Sequence, residues 1–324
     1  DVKLEAAAEI DAKRGRRIGK KWNIPRIYRE YERMFKNESL DAVFVCVPHF
    51  LHSQVVSCAL KHDLHVFCEK PLGLSSDEAF KLVKEASKRD LILTVGYHLR
   101  YENNFQKASR IISNMRLGKV THAQGTFLSP APYIGYRPRG EWFFTEKGGG
   151  VLYDIGCHLF DILTYILSDK IVEVSAHSSN VSYLKTIDNV AGVFKTEKGS
   201  LGTFNIGWQG IRYDVHLNIQ GTGGSLFVTP SEFEEIHKSY RDLDKAFYYL
   251  NSIKRIIKTS MKYYLTDQKI DESYIKEDRN FIDSIIGKEN SSNIGKEAVH
   301  VLEVLEAIKN SLKKGRTVKV NCHF

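Results

Sequence analysis

The alternation of short apolar runs with helical stretches in the first hundred residues most constrains what this chain can fold into. Alternating or apolar runs predict strands at residues 4–10, 26–28, 42–47, 65–69 and 92–97, and helical patterns lie between them, ending near residues 22, 61 and 89. Ser75 or Ser76, followed by two acidic residues, is predicted to cap the last of these helices. This spacing predicts an α/β domain with a parallel sheet that carries helices on both faces. Such sheets bind ligands at the carboxyl ends of their strands, here Asp11, Pro48, Glu69 and Tyr97. We therefore expect a nucleotide-binding layout.

The glycine-rich turn that usually binds phosphate in this layout is absent. No Gly-x-Gly-x-x-Gly motif precedes Asp11, although the acidic residue that holds the adenosine ribose follows such a turn by about 20 residues. If Asp11 is that residue, the turn belongs before residue 1, and roughly 25 residues that include the central strand are missing from this sequence. A variant that has lost its cofactor is the less favoured alternative.

The pattern changes after Arg100. A helix is predicted at residues 104–115, and strands follow at 120–128, 171–180, 190–195, 200–208, 213–221 and 225–228. Hairpin signals between several of them predict a mostly antiparallel sheet with one face open to solvent or to a partner. We therefore predict two domains: an α/β domain at 1–98 that lacks its first strand and glycine turn, and an α+β domain at 99–324. The closing helix at 298–312 can pack back on the first domain.

The segment from Gly148 to Asp161 combines a glycine turn with two acids and a histidine. Three glycines permit a tight turn, and a helical pattern begins at Val151. On an α-helix, Asp154 and His158 lie one turn apart, and Asp161 also reaches His158. A carboxylate beside an imidazole fixes the ring tautomer and supports proton transfer. The alternative is a helix in which Asp154 caps or pairs and His158 is a structural histidine.

Composition excludes several classes of protein. The length of 324 residues, with 42% hydrophobic and 27% charged residues, fits two globular domains. We find neither a long apolar run that predicts a membrane span nor a signal peptide at the start of the sequence. Five scattered cysteines without a Cys-x-x-Cys pair indicate reduced thiols in the cytoplasm, and no metal site is predicted. The net charge of +8 fits an anionic ligand and nucleic acid equally.

Two motifs in the right structural order carry a family resemblance. Cys68-Glu69-Lys70-Pro71-Leu72 follows a predicted strand, and the Gly148 to Asp161 segment comes later in the chain. With the run Gly96-Tyr97-His98-Leu99-Arg100-Tyr101 and the closing helix, they resemble the glucose-fructose oxidoreductase / inositol dehydrogenase family, often called Gfo/Idh/MocA. The likeness covers nearly the whole chain. It implies a Rossmann-type first domain and an enzyme that transfers a hydride between NAD or NADP and a secondary alcohol or ketone of a sugar, cyclitol or sugar derivative.

The resemblance assigns the catalytic centre to Lys70, Asp154 and His158. Oxidation of a secondary alcohol needs a base for the hydroxyl proton while the hydride leaves for the nicotinamide. His158 would accept the proton, Asp154 would orient it or hold a substrate hydroxyl, and Lys70 would polarise the same oxygen. A surface lysine after a strand is the alternative for Lys70, although Pro71 stiffens the turn that carries it.

The cofactor-binding residues follow from the same resemblance and from the strand ends. They are Asp11, Pro48, His52, Glu69, Lys70 and Arg100. Asp11 would accept the ribose hydroxyls and repel a 2′-phosphate, which weakly favours NAD over NADP. Lys13 and Arg14, which follow it closely, would act in the opposite direction.

Aromatic, histidine and arginine side chains are the candidates for substrate binding. Besides Asp154 and His158, they are Tyr97, His98, Tyr136, Arg137 and Trp142, the last three in a loop at residues 129–147. Aromatic rings stack on sugars, and arginines bind acidic groups in a fork. The alternative for each loop residue is a surface side chain that packs on its neighbours.

A basic amphipathic pattern at residues 247–265 departs from the family's usual plan. Such a pattern is typical of membrane-surface or nucleic-acid elements, and more often of an ordinary helix that packs on its own domain or on a partner subunit. We predict neither a nucleic-acid nor a membrane partner, and a homodimer or homotetramer formed by the open sheet face. A non-catalytic cofactor- or sugar-sensing regulator is the alternative function, and the intact Lys70, Asp154 and His158 favour the enzyme.

Overall fold

The structure of the protein is a computed structural model that describes residues 2–130, 144–181, 186–237, 272–287 and 295–324. The predicted substrate residues Tyr136, Arg137 and Trp142 lie outside these described residues, and so does the basic pattern at 247–265. None of the helices in the described ranges is long and apolar enough to cross a membrane.

Strands and helices alternate through the first hundred residues. The elements are β1 (Ala6–Ala8), α1 (Ala12–Trp22), β2 (Arg26–Tyr28), α2 (Tyr31–Asn37), β3 (Ala42–Val45), α3 (His52–Lys61), β4 (His65–Glu69), α4 (Ser76–Lys88) and β5 (Leu93–Gly96). All of these strands pair in parallel. The prediction of a parallel α/β sheet is confirmed, and its strands form two separate sheets, β1-β2 and β3-β4-β5.

Helix caps determine where several side chains of this region stand. The Asp11 side chain accepts hydrogen bonds from the backbone N–H groups of Lys13 and Arg14, which starts α1. Ser75 caps α4 in the predicted manner. The sequence does not predict α2, because Glu30 at its start makes no side-chain cap and the helix is only two turns long.

The rest of the chain builds one large sheet and its covering helices. The elements are α5 (Asn103–Ser113), β6 (Val120–Leu128), a π-helix (Leu152–Gly156), α6 (Cys157–Leu167), β7 (Ile171–Ser179), β8 (Asn189–Thr196), β9 (Leu201–Gly207), β10 (Asp214–Gly221), β11 (Gly224–Val228), β12 (Phe233–His237), α7 (Glu272–Ile285), α8 (Gly295–Lys314) and β13 (Val318–Lys319). The strand order is β12-β11-β10-β6-β9-β8-β7-β13, and only the β6–β9 pair is parallel. The predicted, mostly antiparallel sheet is confirmed.

Helices cover one face of this sheet, and within the described part of the chain the other face is open. A Cβ on Gly125 of β6 would lie 2.9 Å from Leu159 and 3.0 Å from Leu163, so the glycine lets α6 approach the sheet closely. The opposite face carries a groove lined by β6 to β10, where Val193 and Leu201 are about half exposed. The close approach positions α6 and the π-helix before it beside the first domain.

Two helices from the second half of the chain pack against the β3-β4-β5 sheet and helix α4. The Phe281 ring of α7 packs edge-on against Phe44 and Phe67, with centroids 5.4 and 5.7 Å away. The Glu306 carboxylate of α8 accepts hydrogen bonds from the Ser76 N–H at 2.7 Å and hydroxyl at 2.6 Å. The domain boundary between residues 98 and 99 stays a prediction.

Candidate active site

Lys70 stands in the turn after β4 and reaches across to the π-helix. Its Nζ donates to the Asp154 backbone oxygen at 2.6 Å and to Asp154 Oδ1 at 3.3 Å. The turn is braced from α3, because the His52 ring nitrogens lie 2.6 Å from the Pro71 carbonyl oxygen and 2.8 Å from that of Val47. The Lys70 side chain keeps 19% of its surface exposed, so the ammonium is held in place on a partly exposed side chain.

Asp154 belongs to the π-helix that follows the glycine turn. Gly149 and Gly150 adopt positive φ angles of 70° and 66°, which suit glycine, and a Cβ on either would clash with a neighbouring side chain. The Asp154 carboxylate accepts from Lys70 through Oδ1 and from the indole Nε1–H of Trp208 through Oδ2 at 3.0 Å. Two donors on different elements therefore fix its orientation.

His158 lies in the same segment, deep under the site. Its ring is 6% exposed and is surrounded by Tyr97, His98 and Phe127, with ring centroids 6.1, 5.1 and 6.2 Å away. Burial, and then the nearby charge of Lys70, hold the pKa of His158 well below its usual range. The imidazole is therefore neutral at pH 7, which is the form that a base requires.

The predicted pairing of Asp154 with His158 is not observed. His158 Nδ1 has no hydrogen-bond partner among the residues that the structure describes, while Asp154 bonds Lys70 and Trp208. The π-helix gives the physical reason. Its hydrogen bonds close over five residues instead of four, so residues four apart no longer stand one above the other.

Asp161 also has a partner other than the predicted one. Its carboxylate accepts three hydrogen bonds from Arg100, from Nε at 3.0 and 2.9 Å and from Nη2 at 2.6 Å. Both side chains are buried. Burial raises the pKa of Asp161, and the guanidinium opposes that rise. The result is a closed ion pair that attaches α6 to the turn after β5.

Three residues predicted to contact a ligand are held by other parts of the protein. The Arg100 guanidinium donates to Asp161 and so supports α6. His52 is 1% exposed and both of its ring nitrogens face backbone carbonyls, so it supports the Lys70 turn. Tyr97 is completely buried and packs edge-on on His158. The ligand roles of all three stay predictions.

The remaining predicted cofactor residues lie at the carboxyl ends of the strands. Asp11 uses Oδ1 as the cap of α1 and is exposed, and its Oδ2 lies 3.9 Å from Arg14 Nη2. Pro48 begins a short 3-10 helix after β3. Glu69 accepts from the Lys70 backbone N–H at 3.3 Å, and burial raises its pKa. These groups lie at the strand ends, where such folds bind a dinucleotide, and their roles as cofactor ligands stay predictions.

His49 and Trp208 belong to the site and are missed by sequence reasoning. The His49 ring bonds the Gly148 backbone, and its pKa falls to about 4 through burial and the charges of His52 and Lys70. A histidine directly after Pro48, in a predicted ligand-binding turn, is a signal that could have indicated the first. A tryptophan at the end of a predicted strand gave no comparable signal for the second.

His98 forms an aromatic wall with a residue of α7. Its ring stacks on Tyr274, with centroids 4.2 Å apart and planes at 11°, and meets His158 edge-on. Tyr274 is 45% exposed. The predicted substrate role of His98 stays a prediction, and this geometry fits it.

One group of metal-binding residue types is explained by its hydrogen bonds. Ligand atoms of His300, Glu303 and Cys322 lie within 4.8 Å of one another. His300 Nε2 accepts from the Ile171 N–H at 3.1 Å, so a neutral ring carries its proton on Nδ1, 2.9 Å from Glu303. Such a ring offers no free lone pair to a metal. The prediction of no metal site stays a prediction.

The fold and the site together define a dinucleotide-dependent oxidoreductase. Residues 1–97 match a family model described as "Oxidoreductase family, NAD-binding Rossmann fold", and residues 105–227 match "GFO/IDH/MocA C-terminal domain". The two models belong to one family and together match more than half of the chain. The protein therefore belongs to the GFO/IDH/MocA family of oxidoreductases.

Individual relatives agree with this assignment. Myo-inositol 2-dehydrogenase of Thermotoga maritima is 26% identical over 99% of this chain and 92% of its own length. A crystal structure of a probable dehydrogenase from Thermotoga maritima has a TM-score of 0.78 at 24% identity, covering 98% of this chain and 91% of that one. Levoglucosan dehydrogenase in complex with NADH and levoglucosan has a TM-score of 0.79 at 17% identity, covering 98% and 90%. The two structures show the shared fold.

Proposed function

We propose that this oxidoreductase transfers a hydride between NAD and a secondary alcohol or ketone of a sugar or cyclitol. The observation that carries the proposal is the contact of the Lys70 ammonium with Asp154 beside the buried, neutral His158. The name of the inositol dehydrogenase relative, which aligns with almost the whole chain, supports a cyclitol or sugar as substrate.

His158, Lys70 and Asp154 then have separate roles in the proton transfer. When bound, the nicotinamide cofactor supplies the hydride acceptor. His158 Nδ1 is enclosed without a partner among the described residues, so Nε2 is the nitrogen that takes the hydroxyl proton. Lys70, held by Asp154, donates a hydrogen bond to the same oxygen and stabilises its developing negative charge. In the reverse direction, His158 returns the proton to the alkoxide.

We propose NAD as the preferred cofactor. The Arg14 guanidinium lies 3.5 Å from Glu9 and 3.9 Å from Asp11, so two carboxylates already balance the cation nearest to the ribose position. Asp11 would repel a 2′-phosphate. Lys13 has no such pairing among the described contacts and is the residue that would favour NADP.

We also propose the domain division, the oligomeric state and the location. Residues 1–98 bind the cofactor, and residues 99–324 bind the substrate and form the subunit interface. The open sheet face, where Val193 and Leu201 are about half exposed, supports a homodimer or homotetramer. The five cysteines are all unpaired thiols, which supports the cytoplasm.

The test begins with fluorescence titrations with NADH and NADPH, followed by assays of NAD reduction with inositols and sugars. We expect tighter binding of NADH and turnover that His158→Ala abolishes while NADH binding persists. Tight binding without turnover on any polyol would contradict the enzyme and favour the sensing regulator. Preference for NADPH would contradict only the assignment of the cofactor.

A further inference from the structure

We propose that Trp208 is a positioning residue of the active site, whose indole N–H holds the Asp154 carboxylate so that Oδ1 faces Lys70. The expected effect of Trp208 on turnover rests on the proposed function, whereas its effect on the orientation of Asp154 does not. Trp208 lies at the end of β9, outside the motifs that carry the family resemblance.

The two oxygens of Asp154 have different donors. Trp208 Nε1 lies 3.0 Å from Oδ2, and Lys70 Nζ lies 3.3 Å from Oδ1 and 2.6 Å from the Asp154 backbone oxygen. The Lys70 bond to the backbone does not depend on how the carboxylate is turned. The contact with Oδ1 does, because rotation about the side chain would move that oxygen away. The indole N–H, by holding Oδ2, therefore favours the orientation in which Oδ1 faces Lys70.

The indole itself is held firmly. Trp208 is completely buried, and its backbone N–H donates to the Asp188 carbonyl at 2.9 Å. The Asp188 carboxylate is also completely buried and accepts from the Val181 N–H at 3.0 and 3.1 Å and from Asn189 Nδ2 at 3.0 Å. The Phe144 ring meets the indole edge-on at 6.3 Å. Because these contacts hold the indole in place, the position of its N–H constrains the Asp154 carboxylate.

Loss of the donor should weaken the site without removing it. Trp208→Phe keeps an aromatic ring at this position and deletes the N–H, so Oδ2 loses the indole hydrogen bond. A hydrogen bond to a charged group corresponds to about a 10- to 100-fold change, and we expect kcat/KM to fall by that amount. Because Lys70 and His158 remain, the loss should be smaller than that caused by replacing either of them.

A double-mutant cycle separates positioning from a structural role. If Trp208 acts through Asp154, Trp208→Phe should reduce kcat/KM in the wild type and change it little in the Asp154→Asn background. Trp22→Phe is the matched control, because Trp22 is 58% exposed on α1 and should leave kcat/KM unchanged. Equal losses from Trp208→Phe in both backgrounds would overturn the proposal.

A second measurement needs no turnover. The rate of Lys70 acylation by an amine reagent, followed by mass spectrometry of its peptide, should increase in Asp154→Asn and in Trp208→Phe, and not in Trp22→Phe. An increase in Asp154→Asn alone would overturn the proposal, and so would no increase in either. Absence of turnover on any polyol would count against the proposed function and leave this test intact.

If Trp208→Phe does not fold, NMR of the wild type gives the answer. The chain has three tryptophans, and the indole N–H signals of Trp22 and Trp142 can be assigned by replacing each with Phe. Asp154→Asn should shift the remaining signal, that of Trp208. An unshifted Trp208 signal would overturn the proposal.

Discussion

Two buried pairs of opposite charge join the π-helix and α6 to other parts of the protein, and they are built differently. Arg100 donates to both oxygens of Asp161, and the carboxylate side chain is 1% exposed. Lys70 contacts one oxygen of Asp154, shares the carboxylate with Trp208 and stays 19% exposed. We call the Arg100–Asp161 pair closed because both side chains are buried, and the Lys70–Asp154 pair open because the lysine is partly exposed.

The difference indicates a difference in role. A planar guanidinium that fills both oxygens of a buried carboxylate fixes two elements in one relative position and leaves little for a ligand. An ammonium that meets its partner through one oxygen and a backbone carbonyl, on a side chain that is 19% exposed, is not enclosed by that partner. The predictions below test this contrast, beginning with the largest expected effect.

The open pair should control chemistry more than stability. We expect Lys70→Ala to lower kcat by about 10²- to 10⁴-fold, the usual contribution of a group that takes part in proton transfer. The melting temperature should fall less than on removal of Arg100, because Asp154 keeps its hydrogen bond from Trp208. Steady-state kinetics and thermal unfolding measure the two quantities. Lys88→Ala, on the exposed end of α4, is the control. A Lys70→Ala variant with near wild-type kcat would contradict the catalytic assignment.

The closed pair should control stability. Arg100→Leu leaves the Asp161 carboxylate buried without its cation, and we expect the free energy of unfolding in urea to fall by about 3–5 kcal/mol. The double variant Arg100→Leu/Asp161→Leu should recover most of that loss, since no uncompensated charge remains. A loss in the single variant no larger than that of a surface substitution would show that the pair contributes little.

Glu277 of α7 lies near the Arg100–Asp161 pair and should make stability depend on pH. It is 1% exposed, and its pKa is raised to about 9 by burial and by the carboxylates of Glu69, Asp278 and Asp161. The folded protein keeps this proton where the unfolded chain, with a value near 4.5, releases it. Rising pH therefore favours unfolding through this group.

Glu277→Gln removes that dependence because the amide stays neutral. The variant should gain stability over the wild type as pH rises from about 5 to 8, by up to about 1.4 kcal/mol per pH unit. Urea unfolding at several pH values measures the difference. A constant difference across that range would mean that Glu277 is ionised in the folded protein.

The exposed ion pairs of Arg89 should have the smallest effect on stability. Arg89 donates to Glu85 and Asp63 on the surface of α4. We expect Arg89→Ala to change the free energy of unfolding by less than about 1 kcal/mol, with further weakening of the pair by salt. A loss as large as that of Arg100→Leu would show that burial does not explain the contrast.

The sequence predicts much of the fold and less of the site. The strand β6 (Val120–Leu128) and the cap of α4 at Ser75 are found as predicted, because alternation and capping are local signals. Lys70 and Asp154 meet as the family resemblance implies. The predicted pairing of His158 with Asp154 is wrong because the π-helix changes the turn between them. The predicted pairing of His158 with Asp161 is wrong because Arg100 bonds the Asp161 carboxylate.

Contacts between distant parts of the chain leave no local pattern. Trp208 and Asp154 are 54 residues apart, and neither sequence neighbourhood indicates the other. His52 and Arg100 look like ligand residues in their motifs, and only the folded protein shows that backbone carbonyls and Asp161 already use them. Burial and competition for partners are properties of the fold, so periodicity alone cannot give them.

The π-helix at Leu152–Gly156 limits how this family member can change by insertion and deletion. A π-helical turn contains one residue more than an α-helical turn, so deletion of one residue there would restore a regular α-helix and rotate everything before it relative to α6. Asp154 would then turn away from Lys70 while His158 stayed in place. Substitutions can tune this segment, but its length is fixed for as long as the lysine and the carboxylate must meet.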